Sequence, residues 1–144
     1  MTNGQRRRSA QWAGQFLVAA ELERNGYDVA FTMGNTTPIA DLMVGHSATG
    51  EQFWVDVKAQ WEENAWWGKA KSLRLKLFYV LVKVGKIYGD DRFFILNQLE
   101  FNTLDEDYRL AHPTQKPVGG FDWNYPIPYE GHWEKLPSWG HSPN

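Results

Sequence analysis

Hydrophobic residues near the start of the chain recur with the period of an α-helix. Between residues 9 and 25 they fall on one helical face, which carries Val18 and Leu22. Ser9 is a suitable N-cap, and Gly26 supplies a stop signal. The pattern therefore predicts a helix over residues 9–25 that packs its apolar side against the rest of the domain.

After this helix the hydrophobic pattern changes to the alternation that is typical of strands, interrupted by clusters of turn residues. The alternation predicts strands at residues 27–32, 41–44, 52–59, 75–84 and 92–96. The turn at residues 45–50 joins two of them as a hairpin. Residues 60–71 fit either a loop or a short helix, and residues 98–110 predict a further helix.

The last part of the chain, from residue 112 onward, alternates proline and aromatic residues without a period. It is too aromatic for a disordered linker, so we expect it to wrap around the domain and bury Phe121, Trp123, Tyr129 and Trp133. The order of elements predicts an α/β fold with a mixed central sheet flanked by helices. We expect a single domain over residues 1–144, with a core at about 10–111 and a wrapping tail at 112–144.

Composition narrows the class of protein. Hydrophobic residues make up 42% of the 144 residues, which is enough for one packed core. The chain has no cysteine, which excludes disulfides, thiol catalysis and cysteine-based zinc sites. Residues 1–8 lack the apolar segment of a signal peptide, and the longest apolar run, residues 77–84, is too short to span a bilayer. We therefore expect a cytoplasmic protein without membrane contact.

Charge is balanced rather than strongly basic, with a formal net charge of −2. Any contact with nucleic acid would therefore depend on local basic patches. Two patches are present: one is the run Arg6, Arg7 and Arg8, and the other combines Trp66 and Trp67 with Lys69, Lys71, Arg74 and Lys76. Each patch is equally well explained as a solvated run of charges.

The third predicted strand carries a candidate catalytic pair. On a strand, alternate side chains point to opposite faces, so Asp56 and Lys58 share one face while Val55 and Val57 point into the core. We expect the face of Lys58 to border a solvent-filled cleft. Asp41 begins the preceding strand, and hairpin pairing would bring it beside Asp56.

Two neighbouring carboxylates repel each other unless a proton or a cation lies between them. Hard divalent cations prefer oxygen ligands, so the pair suits Mg²⁺ held by Asp41, Asp56, a backbone carbonyl and several waters. Such an ion polarises a phosphoryl oxygen and lowers the pKa of a bound water, while Lys58 could hold that water or offset charge on the phosphate. The alternative is that Asp56 and Lys58 form an ordinary solvated pair on an exposed sheet face.

The ordered pattern resembles the PD-(D/E)XK nuclease superfamily, in its small bacterial and phage restriction-endonuclease-like members. The similarity is carried by residues 14–29, 35–44 and 53–60. It implies a core of one helix, a three-stranded meander, a second helix and another strand, and Mg²⁺-dependent cleavage of DNA, with Mn²⁺ as a substitute. By position, the resemblance implies that Asp41 and Asp56 are metal ligands, that Val57 supplies the backbone carbonyl and that Lys58 is the catalytic lysine.

One position departs from the pattern of this superfamily, because Gln15 stands where related sequences often have a glutamate on the first helix. An amide ligates metal weakly and brings no charge. Either the site works with two carboxylates, or the protein has lost catalysis and binds nucleic acid or a protein partner. Gln60 continues the face of Lys58 and would contact substrate or simply end the strand. Many nucleases of this fold dimerise, so a homodimer is a further expectation.

Overall fold

The computed structural model describes residues 1–32, 40–68, 71–115 and 119–141. The chain forms α1 (Asn3–Arg24), β1 (Tyr27–Phe31), β2 (Leu42–His46), β3 (Gln52–Gln60), β4 (Leu77–Lys83), β5 (Arg92–Asn97) and α2 (Gln98–Ala111). Two single-turn 3-10 helices follow, at Ile127–Tyr129 and Trp133–Lys135. The predicted α/β class with a mixed sheet is confirmed.

The five strands form one sheet whose spatial order follows the chain order, β1-β2-β3-β4-β5. Neighbouring strands are antiparallel except for β3 and β4, which run parallel. A parallel pair needs a crossover connection, and residues 61–76 provide it. The register places Asp56 of β3 beside Tyr79 of β4.

The resemblance implied a second helix between the meander and the next strand, and this expectation is wrong for the described part of the crossover, which contains no helix. Trp66 in the crossover exchanges two backbone hydrogen bonds with Phe121, of 2.8 and 3.0 Å. That bridge takes the N–H and the carbonyl that a helix would use internally. The second long helix, α2, follows β5 instead.

The start of α1 also differs from the prediction, because the helix begins at Asn3 and its cap is Thr2 rather than Ser9. The Thr2 hydroxyl accepts the N–H of Gln5, and the Gln5 side chain accepts the N–H of Thr2. This reciprocal capping box satisfies two backbone donors that would otherwise lack partners. Arg6 and Arg7 consequently belong to the first turns of the helix.

The core consists of two hydrophobic clusters, one on each face of the sheet. The first contains Val18 and Leu22 of α1 against Val55 and Val57 of β3. The second contains aromatic and aliphatic side chains of β4, β5, α2 and the tail: Tyr79, Leu81, Phe94, Leu96, Phe101 and Phe121. No helix among the described residues combines the length and the apolar composition needed to cross a bilayer.

The described tail residues pack along both clusters, as expected from their aromatic content. Phe121 is 1% exposed, whereas Trp123, Tyr129 and Trp133 are half-buried rather than fully buried. Ring contacts join Trp133 to β5 and Trp123 to the crossover. The tail therefore covers the edge of the sheet at β5 and also holds the crossover segment in place.

Candidate metal and catalytic site

A cleft opens where β3 extends beyond the start of β2. Asp41 donates its backbone N–H to the carbonyl of Val55, and β2 ends its pairing with β3 there. The next backbone groups on the same edge of β3 belong to Val57. They bind side chains instead of a neighbouring strand. The Asp41 carboxylate accepts the Val57 N–H at 2.8 Å, and the Gln11 amide donates to the Val57 carbonyl at 2.7 Å.

The two predicted carboxylates lie together at this point. Asp56 is 8% exposed, and its Oδ2 accepts no hydrogen bond from the described residues. Burial raises the pKa of Asp41 to about 7, with further increases from the negative charge of Asp56 and from the hydrogen bond that a proton on Asp41 forms with Asp56. The Val57 N–H and Lys58 oppose this rise in pKa. The arrangement therefore favours a shared proton or a cation over two bare carboxylates.

Lys58 lies between the cleft and the second core cluster. Its Nζ lies 3.2 Å from Asp56 Oδ2, as an ion pair without hydrogen-bond geometry, and 23% of its side chain is exposed. The ammonium also lies 5.8 Å from the ring centres of Tyr79 and Phe101. A Cβ added at Gly68 would come within 2.7 Å of Lys58 Cε. Lys58 also lines the cleft, as expected of its face, while the second core cluster packs against its other side.

Tyr79 lies behind the site, next to Asp56 in the sheet and near the Lys58 ammonium, and was not among the predicted residues. It is fully buried, stacks on Phe101 at 4.0 Å between ring centres, and its hydroxyl has no hydrogen-bond partner in the described ranges. Burial, followed by the negative charge of Asp56, raises the pKa of Tyr79 above its ordinary value. The tyrosine therefore stays neutral beside the carboxylates and presents a hydroxyl that needs a partner.

The cleft has a volume of about 720 Å³, which is within the usual range for ligand sites. Asp41, Asp56, Val57 and Lys58 line it together with Gln11. Its rim adds basic and aromatic side chains from the start of α1 and from the crossover: Arg6, Arg7, Trp61, Trp66 and Trp67. Of the two basic patches in the sequence, the one at the N-terminus contributes Arg6 and Arg7 to the cleft.

Gln15 does not occupy the position expected of it. It is 3% exposed and is not among the residues that line the cleft. Gln11 lies one turn earlier on the same face of α1 and contacts the site, with its Nε2 at 3.5 Å from Asp41 Oδ2 as well as at the Val57 carbonyl. The amide that faces the site is therefore Gln11, because the cleft lies beside the N-terminal half of the helix.

The predicted nucleic-acid contacts are dispersed. Gln60 lines the cleft, and its amide donates to a backbone carbonyl of the loop that follows it. Lys69 lies outside the described residues. Lys71 and Arg74 are exposed and do not line the cleft, and their backbone groups are bound by the side chain of Gln98 at the start of α2.

The donors in the cleft fit a hard divalent cation that retains several waters. Within the described ranges no cluster of three or more histidine, cysteine, aspartate or glutamate residues is present, so the site offers two carboxylates and the Val57 carbonyl. Mg²⁺ is commonly bound through one or two carboxylates, with water or substrate as its other ligands. A bound cation would satisfy the buried Asp56 oxygen that accepts no hydrogen bond, and it would remove the cause of the raised pKa of Asp41.

Comparison with known proteins gives no relative that supports or contradicts the resemblance. No protein-family model, curated protein or solved structure matches this chain. The similarity to PD-(D/E)XK nucleases therefore depends on the quoted motif residues, and any assignment of function depends on the geometry of the cleft.

Proposed function

We propose that the protein is a metal-dependent nuclease of the PD-(D/E)XK type, which hydrolyses phosphodiester bonds of DNA in the cleft beside α1. The observation that carries the proposal is the pairing of the Asp41 and Asp56 carboxyl groups next to Lys58 in that cleft. A buried pair of like charges destabilises the fold, so its presence in an accessible cleft is best explained by a cationic ligand.

Asp41, Asp56 and the carbonyl of Val57 would hold Mg²⁺, with Mn²⁺ as a substitute. When bound, the ion would polarise a phosphoryl oxygen and lower the pKa of a water molecule. The Val57 carbonyl already accepts one hydrogen bond from Gln11, and its second lone pair remains for a ligand. Gln11 would orient this carbonyl and also restrain Asp41.

Lys58 would offset the negative charge that develops on the phosphate. Its ammonium is placed by Asp56 on one side and by the rings of Tyr79 and Phe101 on the other. The aromatic rings exclude water from that side, and a charge acts more strongly where water is excluded. A prepositioned charge needs little reorganisation during the reaction, which is the main advantage of electrostatic catalysis.

Arg6 and Arg7 would contact the backbone of the nucleic acid at the rim of the cleft. Arg6 is held by Glu62 at 3.0 Å, whereas the side chain of Arg7 forms no ion pair with the described residues. Because the whole chain carries a net charge of −2, a local basic rim is the means by which it would attract phosphates.

The test compares wild-type protein with Asp56→Asn on supercoiled plasmid and on end-labelled linear DNA, in Mg²⁺, Mn²⁺ and EDTA. Asp28→Asn, a change at an exposed position on β1, is the matched control. We expect cleavage by the wild type and by the control in either metal, and none in EDTA or by Asp56→Asn. Equal cleavage by wild type and Asp56→Asn would remove the proposal.

A second candidate function is a nuclease-like module that binds nucleic acid or a protein without cleaving. The observation in its favour is that α1 places an amide, Gln11, and no carboxylate beside Asp41. Tight binding of DNA in EDTA, with no cleavage in any divalent metal, would support this alternative. Absence of both activities would leave a role in binding a protein partner.

A homodimer belongs to the same proposal, because one active centre cuts one strand at a time and a second copy supplies the other cut. Light scattering at working concentration should give twice the mass of the chain. A strict monomer that still cuts both strands would exclude this part of the proposal.

A further inference from the structure

A smaller pocket lies beside the cleft, between the crossover, the end of α2 and the tail. Its volume is about 110 Å³. Ala65, Trp66 and Trp67 line both the cleft and this pocket, so the two cavities share a wall. The two cavities are therefore separated only by the residues of this wall.

The wall of the pocket is held firmly. Trp66 is buried, its backbone is paired with Phe121, and its indole N–H donates to the carbonyl of Trp123 at 3.3 Å. Gly120 has a φ of +105°, and a Cβ there would lie 2.0 Å from the Trp66 carbonyl oxygen. The Asp105 carboxylate accepts the Gly120 N–H at 2.8 Å. This close packing fixes the position from which the next residue, Trp67, projects.

The side chains around the opening present aromatic faces. Trp67 is 65% exposed, although it borders two cavities. Tyr108 and His112, which also line the pocket, stack on each other with 4.2 Å between ring centres and 26° between planes. The exposed indole of Trp67 therefore offers an open aromatic face at the edge of the pocket. Flat π-systems are the ligands that such faces stack on.

The charge at the opening favours a base over a phosphate. Arg109, which also lines the pocket, lies 3.5 Å from the carboxylate of Asp105, so the positive charge is already balanced. The Tyr108 hydroxyl donates to the Gln115 side-chain oxygen at 3.0 Å, which leaves the amide N–H groups of Gln115 for other partners. Guanidinium and amide donors beside aromatic faces suit the polar edge of a nucleobase.

We propose that this pocket binds a single unpaired nucleobase of the DNA strand whose backbone lies in the cleft. The proposal rests on the proposed nuclease function and specifies its substrate class, which is DNA with an unpaired nucleotide near the cleavage site. A base inside a duplex cannot enter the pocket without unpairing, so bulged, flapped or single-stranded DNA would bind better than a perfect duplex.

The experiment measures binding by fluorescence anisotropy in EDTA to three labelled DNAs of the same length. One is a perfect duplex, one carries a single bulged thymidine, and one carries an abasic residue at the bulge. Wild-type protein should bind the bulged thymidine roughly tenfold more tightly than the abasic bulge, because stacking of one base contributes about that much. Trp67→Ala should remove this difference, and Trp67→Phe should retain part of it.

The matched control is Tyr88→Ala, which removes an aromatic that is even more exposed, at 89%, from the turn between β4 and β5. The control should preserve the tenfold difference, and melting temperatures should be similar for all variants. Equal binding of base-bearing and abasic bulges by the wild type, or an equal loss for both probes in Trp67→Ala, would overturn the proposal. Failure to bind any of the three DNAs would also overturn it.

Cleavage assays separate this proposal from the proposed function. If cleavage depends on Asp56 but the protein binds base-bearing and abasic bulges equally, the pocket proposal fails and the nuclease proposal stands. If binding depends on the base and on Trp67 but no metal supports cleavage, the nuclease proposal fails and the pocket remains.

Discussion

Replacement of Asp41 by asparagine tests the electrostatics of the carboxyl pair directly. Asparagine keeps an oxygen that accepts the Val57 N–H and adds an amide that donates to Asp56, so it imitates the protonated form of Asp41. We expect Asp41→Asn to be more stable than the wild type in the absence of metal at neutral and alkaline pH, and equally stable in acid. The variant should also lose cleavage.

The size and sign of the expected stability difference follow from the pKa of Asp41, which burial raises from 3.8 to about 7. Between these values the folded protein binds a proton that the unfolded chain has already lost. Because the folded state then holds more protons, the free energy of unfolding falls as pH rises through this interval and is level outside it. The full difference is about 4 kcal/mol at most, and partial exposure of Asp41 reduces it.

The assay is thermal unfolding in EDTA between about pH 4 and pH 8, with the difference between variant and wild type as the observable. The difference should be near zero at the acid end and reach roughly 5–12 °C in melting temperature above pH 7. Mg²⁺ should raise the melting temperature of the wild type at pH 8 and leave Asp41→Asn nearly unchanged. Asp28→Asn, on the exposed side of β1, should show no difference that grows with pH.

A difference that is constant across this pH range would refute the reasoning, since it would mean that Asp41 is ionised in the folded state throughout. A lower stability of Asp41→Asn above pH 7 would refute it more strongly. Asp41 would then act mainly as an acceptor for the Val57 N–H, and the carboxyl pair would give no reason to expect a cation.

Further variants test the neighbours of the carboxyl pair and the packing that supports the crossover. Lys58→Met keeps the apolar part of the side chain and should reduce the cleavage rate roughly 100-fold or more, while Mg²⁺ still raises the melting temperature. If Mg²⁺ no longer raised the melting temperature of this variant, Lys58 would be needed for metal binding rather than for cleavage alone. Gln11→Glu should lower the melting temperature in EDTA and enlarge the increase in melting temperature that Mg²⁺ produces. Gln15→Glu should lower the free energy of unfolding by about 2 kcal/mol or more without enlarging that increase. Equal responses to Mg²⁺ would show that Gln11 does not face the proposed metal. Gly120→Ala should cost about 2 kcal/mol or more in urea unfolding, because its added Cβ meets the Trp66 carbonyl in addition to the strain of a φ of +105°. Gly50→Ala has a φ of +73° but nothing within 4 Å of the added Cβ, so it carries the backbone strain alone and should cost about 1 kcal/mol. Equal costs would remove the close contact with the crossover.

The grouping of Asp41, Asp56 and Lys58 could be predicted from sequence because it depends on local geometry. Alternation along β3 alone places Asp56 and Lys58 on one face and Val57 in the core. The turn between β2 and β3 is short, so it restricts the register enough to bring Asp41 beside this face. These features need no knowledge of distant parts of the chain.

The position of Tyr79 behind the site could not be predicted in this way, because it results from a non-local strand pairing. Tyr79 meets Asp56 only because β4 lies parallel to β3 in one particular register, after a crossover whose described residues form no helix. A run as apolar as β4 has no alternation that shows which residues face which side. Phe101 and the tail residue Phe121 complete the same cluster from still farther along the chain.

The choice between Gln11 and Gln15 shows the limit of a helical pattern most clearly. The two residues are four apart and share a face of α1, so periodicity makes them equivalent. What separates them is the level at which the helix crosses the sheet. Because β2 begins beside Val55, the backbone of Val57 on that edge of β3 has no strand partner, and the turn of α1 that reaches it carries Gln11. One turn farther along, the same helical face lies over the core, where Gln15 is buried. The motif pattern thus indicated the correct helix and the correct face, and tertiary packing determined which turn of that face reaches the carboxyl pair.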